Sequence, residues 1–237
     1  MSSKLGSSRS LWLVESSGET AIADPILLIH ILAGVLALLA GVAAIVTVKG
    51  GARHNQAGKL YAIMMSVVVV TAFPLSLWTN NWFLFAIAIF TGYLVAAGYR
   101  IILRRRSGTT EPMITDYTIH GVMLVVGGGM IGVGGYGAIT NTMDLASVLA
   151  VFGLIGGVLA VRELTQFRGP SSDRTPWFER HIAFMGGGYI ATVTATVTVN
   201  LTMFPPLVRW LGPTLLGVPL IFYAISKYEP RFGRLSI

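Results

Sequence analysis

The chain has 237 residues, of which 54% are hydrophobic and only 11% charged, and its mean hydropathy is +0.71. Soluble domains carry about 25% charged residues, so this composition excludes a water-soluble globular fold, and the lack of cysteine excludes disulfides, thiolate metal sites and cysteine nucleophiles. The net charge of +7 sits between apolar spans, where it sets membrane orientation and argues against a nucleic-acid partner.

Residues 1–24 are Ser-rich and polar, with only Leu11 to Val14 apolar. They read as a tail at or near the membrane surface, with no apolar region resembling a signal peptide. Pro25 to Val48 is the first apolar span, with Pro25 at a helix start, where its missing N–H costs nothing. A basic glycine turn, KGGARHNQAGK, leads to a second span from Leu60 to Trp78, with Pro74 as a kink or break. After a short uncharged turn, Trp82 to Leu103 forms a third span and runs into Arg104, Arg105 and Arg106.

Tyr117 to Ile139 is the most distinctive stretch: uncharged, with glycines at 121, 127, 128, 129, 132, 134, 135 and 137. At about 1.5 Å rise per residue it covers roughly 35 Å, enough for the hydrocarbon core. Gly128 and Gly132 form a GxxxG pair, and Gly121, Gly128 and Gly135 recur at heptad spacing. Small residues let helices approach closely in lipid, so this fourth span is expected to touch neighbours on several sides. Leu145 to Val161 is a shorter fifth span, and 162–180 is the longest internal polar loop. The sixth span runs from His181 or Ile182 to Phe204. The seventh, Leu207 to Ser226, carries Arg209, Pro213 and Pro219, and a basic tail, 227–237, follows.

The expected fold is therefore an all-α membrane protein with seven transmembrane helices in a single domain over 25–226. With the N terminus outside and the C terminus inside, every one of the 17 cationic residues except Lys4, Arg9 and Arg209 falls on the inner side. That is the distribution cytoplasmic loops show. It implies a bacterial cytoplasmic membrane and anionic lipid at the inner face. A weak repeat pairs Arg53-His54, Tyr61, Phe73-Pro74 and Trp78 with Arg180-His181, Tyr189, Phe204-Pro205 and Trp210. It suggests a 3+1+3 parallel repeat around the glycine-rich fourth helix, as in some transporters.

Depth sorts the four histidines. His54, His120 and His181 fall at the inner ends of their helices, near Arg53, Arg100 and Arg180, and His30 lies alone in the outer part of the first span. An inner His/Arg cluster could bind an anion. Alternatively, the three inner histidines could hold one haem b, a quinone or a metal. Two depth-matched pairs are missing, which disfavours two haems. Histidines at such positions also commonly meet water, headgroups or a carbonyl. Asp116 lies one turn before His120 on the same face, as a tautomer-fixing partner or as an acid at a helix start. On the sixth span His181, Tyr189, Thr192, Thr196 and Asn200 form a polar stripe that could line a solute path or bond to neighbouring helices. The alternation from Thr192 to Thr198 resembles a strand, yet an isolated strand would leave its backbone unpaired in lipid.

The segments ILLIHILAGVLALLAGVAAI, ARHNQAGKLYAIMM, NNWFLFAIAIFTGYLVAAGYRIILRR and ERHIAFMGGGYIATVTA together resemble a bacterial family of predicted multi-pass membrane proteins of unknown function. The resemblance covers roughly residues 25–226 and marks His30, Gly34, His54, Gly58, His120 and His181 as recurring positions, with no activity attached. The arrangement is also similar to small sugar carriers, but their proline-glutamine signature is absent. No lysine within the seventh span could form a retinal Schiff base. Three classes follow: a small-solute or anion carrier, a one-haem or quinone redox protein, and an accessory subunit of a homo-oligomer or larger membrane complex. Hydrolysis has no Ser/His/Asp or HExxH motif behind it, so an enzyme is the less favoured class.

Overall fold

The structure, a computed structural model, describes residues 5–109, 111–170 and 174–232. Over these residues the chain forms α1 (Leu5–Val46), α2 (Ala52–Trp78), α3 (Trp82–Arg106), α4 (Ile114–Thr140), α5 (Ala146–Arg168), α6 (Trp177–Asn200) and α7 (Pro206–Phe232), with no strand among them. All seven are long and apolar enough to cross a membrane, so this is a multi-pass helical membrane protein. The alternating segment around Thr192 to Thr198 is helical, as lipid demands of an unpaired backbone.

Helix ends reach further than the apolar spans. α2 takes in most of the basic turn, and α5 continues through Arg162, Glu163 and Arg168 to stop at Gly169-Pro170. Charged residues at a span's end are good helix formers that meet water or headgroups, so helices run on until glycine or proline intervenes. For the same reason the 162–180 loop shrinks to a short link before Trp177, and α7 runs past Ser226 into the expected tail. The Ser-rich segment from Leu5 onward belongs to α1 and is not a separate tail; residues 1–4 lie outside the described residues. No proline interrupts it before Pro25, which sits inside the helix. The tight turns use left-handed residues: Asn80 (φ 49°) between α2 and α3, and Asn141 (φ 53°) at the end of α4. Asparagine adopts this conformation more readily than most side chains.

The architecture is three hairpins, α1–α2, α4–α5 and α6–α7, arranged around α3, which packs against α2, α4, α5 and α6. Half of the α3 span is buried, against 28% for α4 and 6% for α7. The glycine-rich α4 is therefore not the central element. It is tied tightly to α5: a Cβ at Gly134 would lie 2.6 Å from the carbonyl oxygen of Ala146, and one at Gly127 2.9 Å from that of Gly153. At Gly121, Gly128, Gly129, Gly132 and Gly135 an added Cβ would meet nothing within 4 Å. The GxxxG pair and the heptad row thus lie on open faces, and the expectation of neighbours on several sides fails. What surrounds α3 is bulk: Phe90, Leu94, Met123, Phe152 and Phe184 close the main core, with Phe90 and Phe152 stacked at 5.3 Å.

Four of the helices form a ring. α1 packs on α2, α2 on α3, α3 on α6 and α6 back on α1, so that α2 and α6 face each other across it. Tyr61 bridges the centre, its hydroxyl 3.2 Å from Thr192 Oγ1.

Candidate functional site

At the end of the bundle that carries Arg53, Arg100, Arg104, Arg162, Arg180 and Lys227, the helices α3, α4, α5 and α6 enclose a buried charged cluster. Arg100 and Arg104 are one turn apart on α3 and share a face; Asp116 and His120 do the same on α4. Asp116, 2% exposed, accepts a hydrogen bond from Arg100 Nε at 3.0 Å and lies 3.7 Å from Arg104 Nε. It also accepts the Met113 backbone N–H at 2.8 Å, capping the first turn of α4. The helix-start reading of Asp116 is the one its contacts match, extended by two guanidiniums from α3. Its i, i+4 neighbour His120 turns to other partners.

His120 Nδ1 is 3.1 Å from the hydroxyl of Tyr93 on α3, and Nε2 is 3.9 Å from Glu163 Oε2 on α5. Glu163 accepts two hydrogen bonds from Arg180 on α6, through Nε at 2.9 Å and through Nη2. The rings of Phe167 and Phe184 wall the imidazole at 5.5 and 6.0 Å, and the Arg104 guanidinium lies over Phe167 at 5.7 Å. Asp116, Glu163 and His120 are all nearly inaccessible to solvent. Each buried carboxylate is paired with arginine, as the cost of an unpaired charge in such a place requires. Among the described residues the guanidiniums of Arg100 and Arg104 converge on Asp116, and that of Arg180 on Glu163. Phenol, imidazole, carboxylate and guanidinium form a chain along which a proton or a small anion could be exchanged.

Of the expected site residues, Arg100, Asp116, His120 and Arg180 come together here. His54 and His181 do not join them. His54 Nδ1 donates to the Ala44 carbonyl of α1 at 2.9 Å, and His181 Nδ1 donates to the Gly98 carbonyl of α3 at 3.0 Å. Arg53 is exposed on the rim of an open cleft of about 420 Å³ beside Val46 to Val48. The sixth-helix stripe divides. Thr192 is buried against Tyr61 and Met65, whereas Thr196 and Asn200 bond to carbonyls of their own helix. His30 Nδ1 lies 2.9 Å from Thr71 Oγ1 in the opposite half. Among the described residues no three His, Asp or Glu side chains converge to hold a metal ion, so the three inner histidines do not act as one ligand set.

Tyr93, Arg104 and Glu163 complete the cluster and were not singled out by sequence reasoning. Glu163 was hidden in a stretch that read as a polar loop. The available signal was the continued spacing of buried positions, Gly156, Ala160, Glu163 and Phe167, which carries the α5 face past Val161. Comparison with models of protein families, with curated proteins and with solved structures finds no match to this chain.

Proposed function

We propose that this protein binds, and carries across a bacterial cytoplasmic membrane, a small anion at the cluster of Arg100, Arg104, Arg180, Asp116, His120 and Glu163. One observation carries the reading: inside the bundle the Arg180 guanidinium fork is held by Glu163, a buried carboxylate that can take up a proton, with His120 Nε2 3.9 Å away. Ionisable groups within a membrane bundle are costly and are functional sites by default. Glu163 now occupies the Arg180 fork. Protonation of Glu163, with His120 and Tyr93 as the neighbouring proton-holding groups, would free that fork for an incoming anion, so binding would be coupled to proton uptake. The cationic loops support an orientation with this end of the bundle at the cytoplasmic face, the N terminus outside and the C terminus inside. Anionic lipid would gather around the same end.

The test is the thermal unfolding of the purified protein in mild detergent against chloride, nitrate, sulfate, phosphate and short carboxylates at matched ionic strength. One anion class should stabilise it saturably, more at pH 6 than at pH 8, and Arg180→Gln should remove the effect. If no anion differs from the ionic-strength control at either pH, the reading fails.

A further inference from the structure

His54 and His181 share a chemistry that the charged cluster does not use. A carbonyl oxygen can only accept a hydrogen bond, so the bonds to Ala44 and Gly98 put the proton of each ring on Nδ1. That fixes both imidazoles in the tautomer whose Nε2 carries the free lone pair. It is also the support that metal-bound histidines receive from a neighbouring carbonyl. Among the described residues neither Nε2 makes a hydrogen bond.

The packing register brings the two rings to one level. Thr192 meets Met65 across a separation of 127 residues. Gly188 lies the same distance along the chain from Tyr61, and a Cβ there would come 3.2 Å from the Tyr61 hydroxyl. α2 and α6 therefore run parallel in a constant register. His54 and His181 stand in that register too, two turns nearer the cationic end, and seven residues return almost to the same helix face. They lie within electrostatic reach of each other. Since α2 and α6 face each other across the ring completed by α1 and α3, the two imidazoles approach the ring's interior from opposite sides. The other two helices supply the carbonyls that hold them. Cofactor sites in helix bundles are built in this way, from side chains on facing helices. Gly58, one turn from His54 and half-buried, has nothing within 4 Å of where its Cβ would stand, which leaves room beside the ring.

Two donors without a third decide the ligand class. A bare zinc ion needs about four ligands, and among the described residues no third His, Asp or Glu joins this pair. A haem iron brings four nitrogens of its own and asks the protein only for two axial ligands. The macrocycle is flat and apolar, suited to a lipid-embedded ring. Its propionates would reach the cationic end, where Lys49 and the exposed Arg53 precede His54. We infer that His54 and His181 are the axial ligands of one b-type haem held between α1, α2, α3 and α6. The site is separate from the anion cluster, whose histidine is His120, and it does not rest on that reading.

The experiment is the absorption spectrum, oxidised and dithionite-reduced, of the full chain purified in mild detergent from cells given a haem precursor, together with titration of the purified protein with haemin. A Soret band that shifts on reduction, with a sharp α band and one haem per chain, is expected. It should be lost in His54→Ala and in His181→Ala, recover in each on adding imidazole, and persist in His120→Ala. Should the alanine variants fail to fold, His54→Met and His181→Met would each shift the reduced spectrum towards a His/Met signature. A monodisperse wild-type protein that stays colourless and takes up no haemin overturns the inference. So does colour that survives the double alanine variant, or a stoichiometric non-haem metal found by elemental analysis.

Discussion

α3 and α4 lie side by side, and each carries a pair of charged or titratable groups one turn apart, yet they hold opposite places in the fold. α4 has the more unusual sequence and uses only part of its surface: Gly127, Gly134 and Gly137 press on α5 and the turn before it, and five other glycines face open space. α3 has few glycines and packs against four helices, α2, α4, α5 and α6. The difference shows that in a membrane bundle glycine marks where two backbones approach closely, while centrality comes from large side chains that find partners around the whole circumference. It also explains the position of the charged cluster. Arg100 and Arg104 come from the enclosed helix, and the carboxylate that meets both, Asp116, comes from its neighbour α4.

The strongest way to break this arrangement is to strand a cation. Glu163→Leu leaves the largely buried Arg180 without its carboxylate and should destabilise the protein by about 3–5 kcal/mol. The SDS-unfolding midpoint in mixed micelles measures this, and an unchanged midpoint would mean that the pair is not closed in the membrane. Asp116→Ala should be milder, about 2 kcal/mol by the same assay, because Arg100 is partly exposed and can turn to headgroups. That variant also removes the cap on Met113, so amide exchange should quicken over the first turn of α4.

The two faces of α4 can be compared directly. Gly134→Ala drives a methyl group against the α5 backbone and should cost about 2 kcal/mol. Gly128→Ala, on an open face of the same helix, should leave stability unchanged or raise it by up to about 1 kcal/mol, since alanine is the better helix former. Equal losses in the two variants would mean that the open face is covered by a partner. The smallest effect is expected for Tyr93→Phe, which removes one hydrogen bond to His120 and should cost about 1 kcal/mol. In the anion assay it should also shift the pH dependence of binding if the phenol shares the imidazole's proton.

Much of the site was legible as residues and little of it as geometry. Arg100, Asp116, His120 and Arg180 could be named from depth and charge, because ionisable groups at helix ends stand out against apolar spans. Their pairing could not, since His120 has two potential carboxylate partners and the one on its own helix, four residues away, is the wrong one. That an Arg-His pair stands near the start of both the second and the sixth helix could be seen in the sequence. That these two helices face each other across a ring of helices could not.

By itself the sequence determined that the chain lives in lipid, that it crosses as helices, and that seven of them do so. These follow from apolar length and from the need of every backbone group to find a partner within its own segment, both local properties. Only the tertiary structure decided which helix is central, which carboxylate each arginine meets, and which histidines share a level. Those depend on crossing geometry and register between segments far apart in the chain, and an apolar span looks alike to every neighbour it could pack against until the side chains interlock.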